Sequence, residues 1–180
     1  MNFTGEKIMV TGAGKGIGAG ITRKLVELGA HVYAVSRTNS DLVKLVSDLG
    51  EKITPICLDI SDWADCEQKL AIINDVTGLV NNAAVAICSP FLEATEKEFN
   101  VQFDINVKAM MHISQIVAKS MVERKIGGSI VNMSSQASQA ALTDHVVYGM
   151  TKAAVDQMTR VMALELGPHK VSKYLNKTLL

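Results

Sequence analysis

The sequence predicts an α/β protein, a doubly wound parallel sheet in three αβα layers, and two observations carry that prediction. Lys7-Ile8-Met9-Val10, an apolar run of strand length, leads into Thr11–Gly18 (TGAGKGIG), after which Ile17, Ile21, Leu25 and Leu28 recur at helical spacing until Gly29. His31–Val35 then reads as a second strand, and a strand–helix–strand unit of this size must pair its strands in parallel. The turn between the first strand and helix sets backbone N–H groups at a helix N-terminus, where unsatisfied donors and the helix dipole favour an anionic pyrophosphate. A βα loop that needs glycine only for its backbone conformation has the same composition.

The length of 180 residues suits one domain with a substantial core. Lys+Arg and Asp+Glu are both 18, and with no basic excess or stripe the sequence points away from nucleic acid. An apolar fraction of 48% argues for a globular chain, and 4% aromatics argue against a base-stacking surface. There is no apolar run of about 18 residues, so no membrane-spanning helix is expected, and MNFTGEK has no secretory signal pattern. Cys57, Cys66 and Cys88 are odd in number and lack metal-ligand spacing, which suits reduced thiols and apolar fillers in a cytoplasmic protein. His31, His112, His145 and His169 form no ligand pair, so no metal is expected.

In such a fold the end of the second strand meets the adenosine ribose, where an acid selects NAD and an arginine suits the 2′-phosphate of NADP. Here stand Ser36-Arg37-Thr38, with no acid before Asp41, and Lys15 in the glycine loop adds a second cation. Each alone reads as a solvated group; together they favour NADP. Asp41–Leu49 reads as a helix, Thr54–Leu58 as a third strand ending in Asp59, and Asp62–Asn74 as an amphipathic helix with Trp63, Cys66, Leu70 and Ile73 inward. Asp59 also suits the cap of that helix. Gly78–Ala84 (GLVNNAA) is the fourth strand and its exit. Helical stretches follow over Thr95–Phe103 and Asp104–Arg124, and Asn106 sits within the second between Ile105 and Val107, where its polarity calls for a partner. Gly128–Ser134 is the fifth strand, with Ser135 at its carboxyl end. Tyr148 and Lys152 lie one turn apart on a helix that runs to about Leu166.

TGAGKGIG, NNAA, Asn106, Ser135 and YGMTK together resemble the short-chain dehydrogenase/reductases. The stretches AVSRTNSDL, LVNNAAVA, PFLEAT and VMALELGPHK are similar to their carbonyl reductase subgroup, which includes the dicarbonyl/L-xylulose reductases. The resemblance implies a Rossmann-like fold and hydride transfer from NADPH to a small ketose or α-dicarbonyl. It implies Tyr148 as general acid, with Lys152 and the oxidised nicotinamide lowering its pKa, Ser135 on the substrate oxygen, and Asn106 holding a water that completes the proton path. The implied cofactor residues are Gly12, Gly14, Lys15, Gly16, Ile17, Gly18, Arg37, Thr38, Asp59 (toward the adenine amine), Asn81, Ala83, Tyr148 and Lys152; Ser135 and Tyr148 would meet substrate. A homo-oligomer, dimer or tetramer, is implied through the two long helices. Ala84 stands where the family has glycine.

Beyond Lys170 the family continues with further strands and a substrate-covering segment, whereas this sequence reads VSKYLNKTLL. The expectation is an NADP-binding domain over residues 1–170, incomplete at its C-terminus, and a divergent tail over 171–180 in which Val171 can start a strand that does not continue. The fifth strand is then an exposed edge, and the sheet lacks the last strands of the family fold. A truncated, catalytically inactive nucleotide-binding or dimerising isoform is the alternative to an active reductase, and an unstable fragment is a third reading.

Overall fold

Lys7–Thr11 (β1) is the central strand of the sheet in a computed structural model that describes residues 2–178. It pairs in parallel with His31–Ser36 (β2) on one side and Gly78–Asn81 (β4) on the other. Ile53–Cys57 (β3) adds outside β2, Gly128–Ser135 (β5) outside β4, and Val171–Thr178 (β6) outside β5, giving six parallel strands in the order β3-β2-β1-β4-β5-β6. The chain winds outward in opposite directions from β1, so a crevice opens at the carboxyl ends of β1 and β4.

Alternation along β1 builds the two faces. Ile8 and Val10 pack under Gly16–Glu27 (α1) and Asn39–Leu49 (α2) with Val26, Val32, Leu42 and Leu45. Met9 faces Trp63–Leu70 (α3) and Met110–Arg124 (α5) with Leu70, Leu79, Ile113, Val117 and Met121. Met162 and Leu166 of Val146–Leu166 (α6) close the second layer. Glu96–Phe103 (α4) starts on a capping box in which Thr95 Oγ1 accepts from Glu98 N and Glu98 Oε2 accepts from Thr95 N. A π-turn, Asp104–Ala109, joins α4 to α5.

Three expectations change. The helix expected over Asp62–Asn74 ends at Leu70, and Trp63 stacks on His112 with ring centroids 3.6 Å apart instead of entering the core. Ile17 is 53% exposed, and α1 faces inward through Gly18, Thr22 and Val26, with the expected Ile21 and Leu25 packed beside them. The tail continues as β6 through Thr178, so β5 is no edge: eight pairs run from Gly128↔Val171 to Ser135↔Thr178. The unpaired N–H and C=O groups of β5 decide this, because a neighbouring chain that satisfies them outweighs weak strand propensity. Val171 is buried beside Val117 and Met121. On the opposite face of β5 and β6, Val131 is half-buried and Tyr174 exposed. Residues 179–180 of the expected tail lie outside the described residues.

Candidate active site

The glycine loop is held from beneath by the exit of β4. Thr11 Oγ1 accepts from Asn82 N at 3.0 Å and from Ala83 N at 3.1 Å, while Asn82 Nδ2 donates to Thr11 O and Gly12 O at 3.0 and 3.3 Å. This clamp explains two glycines. A Cβ on Gly12 would stand 2.9 Å from Ala83 Cα, and one on Gly18 only 2.1 Å from Gly12 O. Gly16, at φ +55°, has nothing within 4 Å of where its Cβ would be, so the loop is open on its outer side.

A cleft of about 280 Å³ lies over this loop. Gly12, Gly14, Lys15, Arg37, Thr38, Asp59 and Ala83 all line it, with Asn82 and Val85 on the far wall. Lys15 stands at the N-cap of α1, and no side chain caps that N-terminus. Open space, an uncapped helix end and two exposed cations suit an anionic dinucleotide. Asp59 does not cap α3; Asp62 does, accepting from Asp65 N at 2.9 Å. Asp59 accepts from Ser61 N and Oγ, and the backbone bond, ahead of the hydroxyl, holds its carboxyl below the usual range. The side chain of Asn81 points below the cleft, where Nδ2 donates to Ser114 Oγ and Asn132 Oδ1, each at 2.8 Å. Asn132 in turn donates to Thr159 Oγ1 at 2.8 Å, tying β4, β5, α5 and α6 together.

At the carboxyl end of β5, Ser135 and Tyr148 are buried together, and Lys152 follows one turn later on α6 with Nζ 5.6 Å from the centroid of the Tyr148 ring. Lys152 Nζ donates to Met133 O at 2.8 Å. Burial raises the Tyr148 phenol above its ordinary value, and its hydrogen bond with Ser135 offsets only part of that. The lowering implied by the resemblance joins Lys152 to the oxidised nicotinamide, whereas the cofactor-free phenol is set chiefly by its own burial. Burial likewise pulls Lys152 down to about 8, against the nearby charge of Asp156.

Asn106, fully buried in the π-turn, has its partners. Oδ1 accepts from Val85 N and Nδ2 donates to Val85 O, both at 2.8 Å, and Nδ2 also donates to Thr151 Oγ1 at 3.1 Å. It is one of three side chains at four-residue spacing that strap the loop beyond β4. Gln102 bonds Ile87 N and O at 3.1 and 3.2 Å, and Glu98 Oε1 accepts from Ser89 Oγ at 2.7 Å. Residues 85, 87 and 89 thus face the helix, while Ala84, Ala86 and Cys88 face outward and are exposed. Sequence reasoning missed Glu98 and Gln102, although their i, i+4 spacing with Asn106 was visible. It also missed Asp156, whose carboxylate accepts from Ser134 and, at 2.9 Å, from Ser138 Oγ beneath the site. Among the described residues no helix is long and apolar enough to cross a membrane, and no group of three His, Cys, Asp or Glu side chains is placed to hold a metal.

Residues 6–174 match the family model for the short chain dehydrogenases. The chain is 51% identical over 169 residues to human L-xylulose reductase, covering 94% of this chain and 69% of that one. It is 48% identical to the D-erythrulose reductase of Gallus gallus, over 95% of this chain and 69% of the relative, and 47% identical to the carbonyl reductase [NADPH] 2 of Sus scrofa, over 95% of this chain and 70% of the relative. Among solved structures, a serine dehydrogenase from Escherichia coli superposes with a TM-score of 0.92 at 31% identity, over 97% of this chain and 82% of that one. A short chain dehydrogenase from Burkholderia cenocepacia in complex with NADP does so with a TM-score of 0.87 at 30% identity, over 97% and 72%. A glycine turn clamped by the exit of β4, a Ser–Tyr–Lys cluster at the end of β5 and half of the sequence in common with named reductases lead to one assignment: the chain belongs to the short-chain dehydrogenase family of nicotinamide-dependent oxidoreductases.

Proposed function

We propose that the chain binds NADP(H) along the cleft and reduces a small ketose or α-dicarbonyl, with Tyr148 as the proton donor. The observation that carries this reading is the grouping of Ser135, Tyr148 and Lys152 at the carboxyl end of β5, beside the cleft wall that Asn106 holds. Kinship with L-xylulose, D-erythrulose and carbonyl reductases supports the substrate class, and Lys15 and Arg37 support NADP over NAD.

The α1 N-terminus, Lys15, Arg37 and Thr38 would hold the phosphates and Asp59 the adenine side. The bound nicotinamide supplies the hydride. Ser135 Oγ donates to the substrate oxygen and stabilises the charge that develops there. Tyr148 Oη releases its proton to the same oxygen, completing the alcohol and leaving a phenolate. A phenolate in so buried a place needs a cation, and Lys152 supplies it when protonated. Asp156 favours that protonated form. Asn106 acts by joining the cleft wall at Val85 to Thr151, one residue from Lys152.

Pairing of two chains through α5 and α6 completes the proposal. An apolar groove between them, lined by Met111, Met158, Met162 and Leu166, supports that face as the contact.

The test is NADPH oxidation by the purified chain with diacetyl or L-xylulose, beside Tyr148→Phe. Turnover in the parent and its loss by about a thousandfold or more in the variant, with NADPH still bound, is the expected result. A folded parent that binds NADPH without turnover would instead identify an inactive, nucleotide-binding chain.

A further inference from the structure

Cys88 and His145, 57 residues apart in sequence, meet with Sγ 3.4 Å from Nε2. The strap by Glu98, Gln102 and Asn106 fixes the first of them, turning Cys88 outward. The loop before α6 fixes the second: Ser89 N donates to Asp144 O at 2.9 Å, and His145 Nδ1 lies 2.5 Å from Thr143 O. A carbonyl oxygen only accepts, so Nδ1 carries the hydrogen and Nε2 of the neutral ring presents its lone pair to the thiol. Nucleophile, base and a group that orients the base are therefore in line, on the surface. The other two cysteines lack this arrangement. Cys57 is exposed, with its Sγ on Arg37 O and the Lys69 ammonium rather than a histidine nearby, and Cys66 is buried, which pushes its thiol up to about 11.

We propose that Cys88 is a modification site, at which a thiol served by His145 forms a mixed disulfide with small disulfides such as oxidised glutathione, and that the adduct obstructs Tyr148. Nε2 takes the proton from Sγ, the thiolate attacks one sulfur of the small disulfide, and the S–S bond breaks. The departing sulfur leaves as a thiolate that takes the proton back from the imidazolium. Cys88 is oxidised and one glutathione is released reduced. Obstruction follows from position: the His145 ring centroid is 6.3 Å from that of Tyr148, and charge at Cys88 reaches the phenol. This second part rests on the function proposed above.

The experiment follows adduct formation by intact mass and peptide mapping in the full chain with oxidised glutathione, alongside NADPH turnover. Modification at Cys88 roughly tenfold faster than at Cys57, slowed to the Cys57 rate by His145→Gln, is expected. Turnover should fall as the Cys88 adduct accumulates and return on reduction, while Cys88→Ser turns over normally and resists inhibition. Equal rates at the two cysteines of the parent, or no effect of His145→Gln, would overturn the activated thiol. Full turnover by the modified chain would overturn the obstruction. The adduct rates need no turnover, so a chain that forms the adduct without oxidising NADPH supports the site and counts against the proposed reaction alone.

Discussion

Gln102 satisfies both main-chain groups of Ile87, accepting from its N at 3.1 Å through Oε1 and donating to its O at 3.2 Å through Nε2. A fully buried amide thereby takes the place of a neighbouring strand for a loop that has none. Gln102→Leu, close in size, leaves the Ile87 N–H and C=O unpaired. It should cost about 1–3 kcal/mol of stability and speed amide exchange at Ile87. Urea unfolding and hydrogen exchange check this; a variant as stable as the parent would show that water replaces the amide.

Lys152 gives a pH dependence with a definite sign. Its folded-state value of about 8 lies below its ordinary 10.5, chiefly through burial. Between these values the unfolded chain binds more protons, so the Lys152 contribution to stability improves as pH rises through the window. Below about pH 8 the buried ammonium costs on the order of 3 kcal/mol. In the cofactor-free chain, Lys152→Met should be more stable than the parent near pH 7, with the gap shrinking toward pH 10, measured by urea titration. A gap constant with pH would assign the difference to packing.

Two loop glycines should respond differently to alanine. A Cβ on Gly18 meets Gly12 O at 2.1 Å, so Gly18→Ala must push the loop off its clamp and should abolish dinucleotide binding. Gly16→Ala meets no atom and bears only the strain of φ +55°, about 1–2 kcal/mol. Calorimetric titration with NADPH separates the two.

Cofactor choice should follow the cations. Arg37→Ala is expected to weaken NADPH binding about tenfold or more and leave NADH nearly unchanged, and Lys15→Ala to act in the same direction more weakly. Equal losses for both dinucleotides would place Arg37 on the pyrophosphate instead of the 2′-phosphate.

The alternation of strands and helices, the glycine turn and the Tyr148–Lys152 pair were all legible in the sequence, because each is a local pattern set by backbone sterics and the periods 2 and 3.6. The helical character of Thr95–Phe103 and Asp104–Arg124 was legible too, although the chain stays helical through their junction, where the π-turn begins. What joins distant segments was not. The strand at Val171–Thr178 is made by unpaired groups on β5, the division of labour between Asn81 and Asn82 depends on which faces the loop, and Cys88 meets His145 only after two loops are pinned. The depressed value of Lys152 and the raised one of Tyr148 sum over everything that excludes water from them. Sequence alone therefore determined which chemical groups are present and on which elements; the tertiary structure decided their protonation, partners and access, since burial and long-range pairing exist only once the sheet has closed around them.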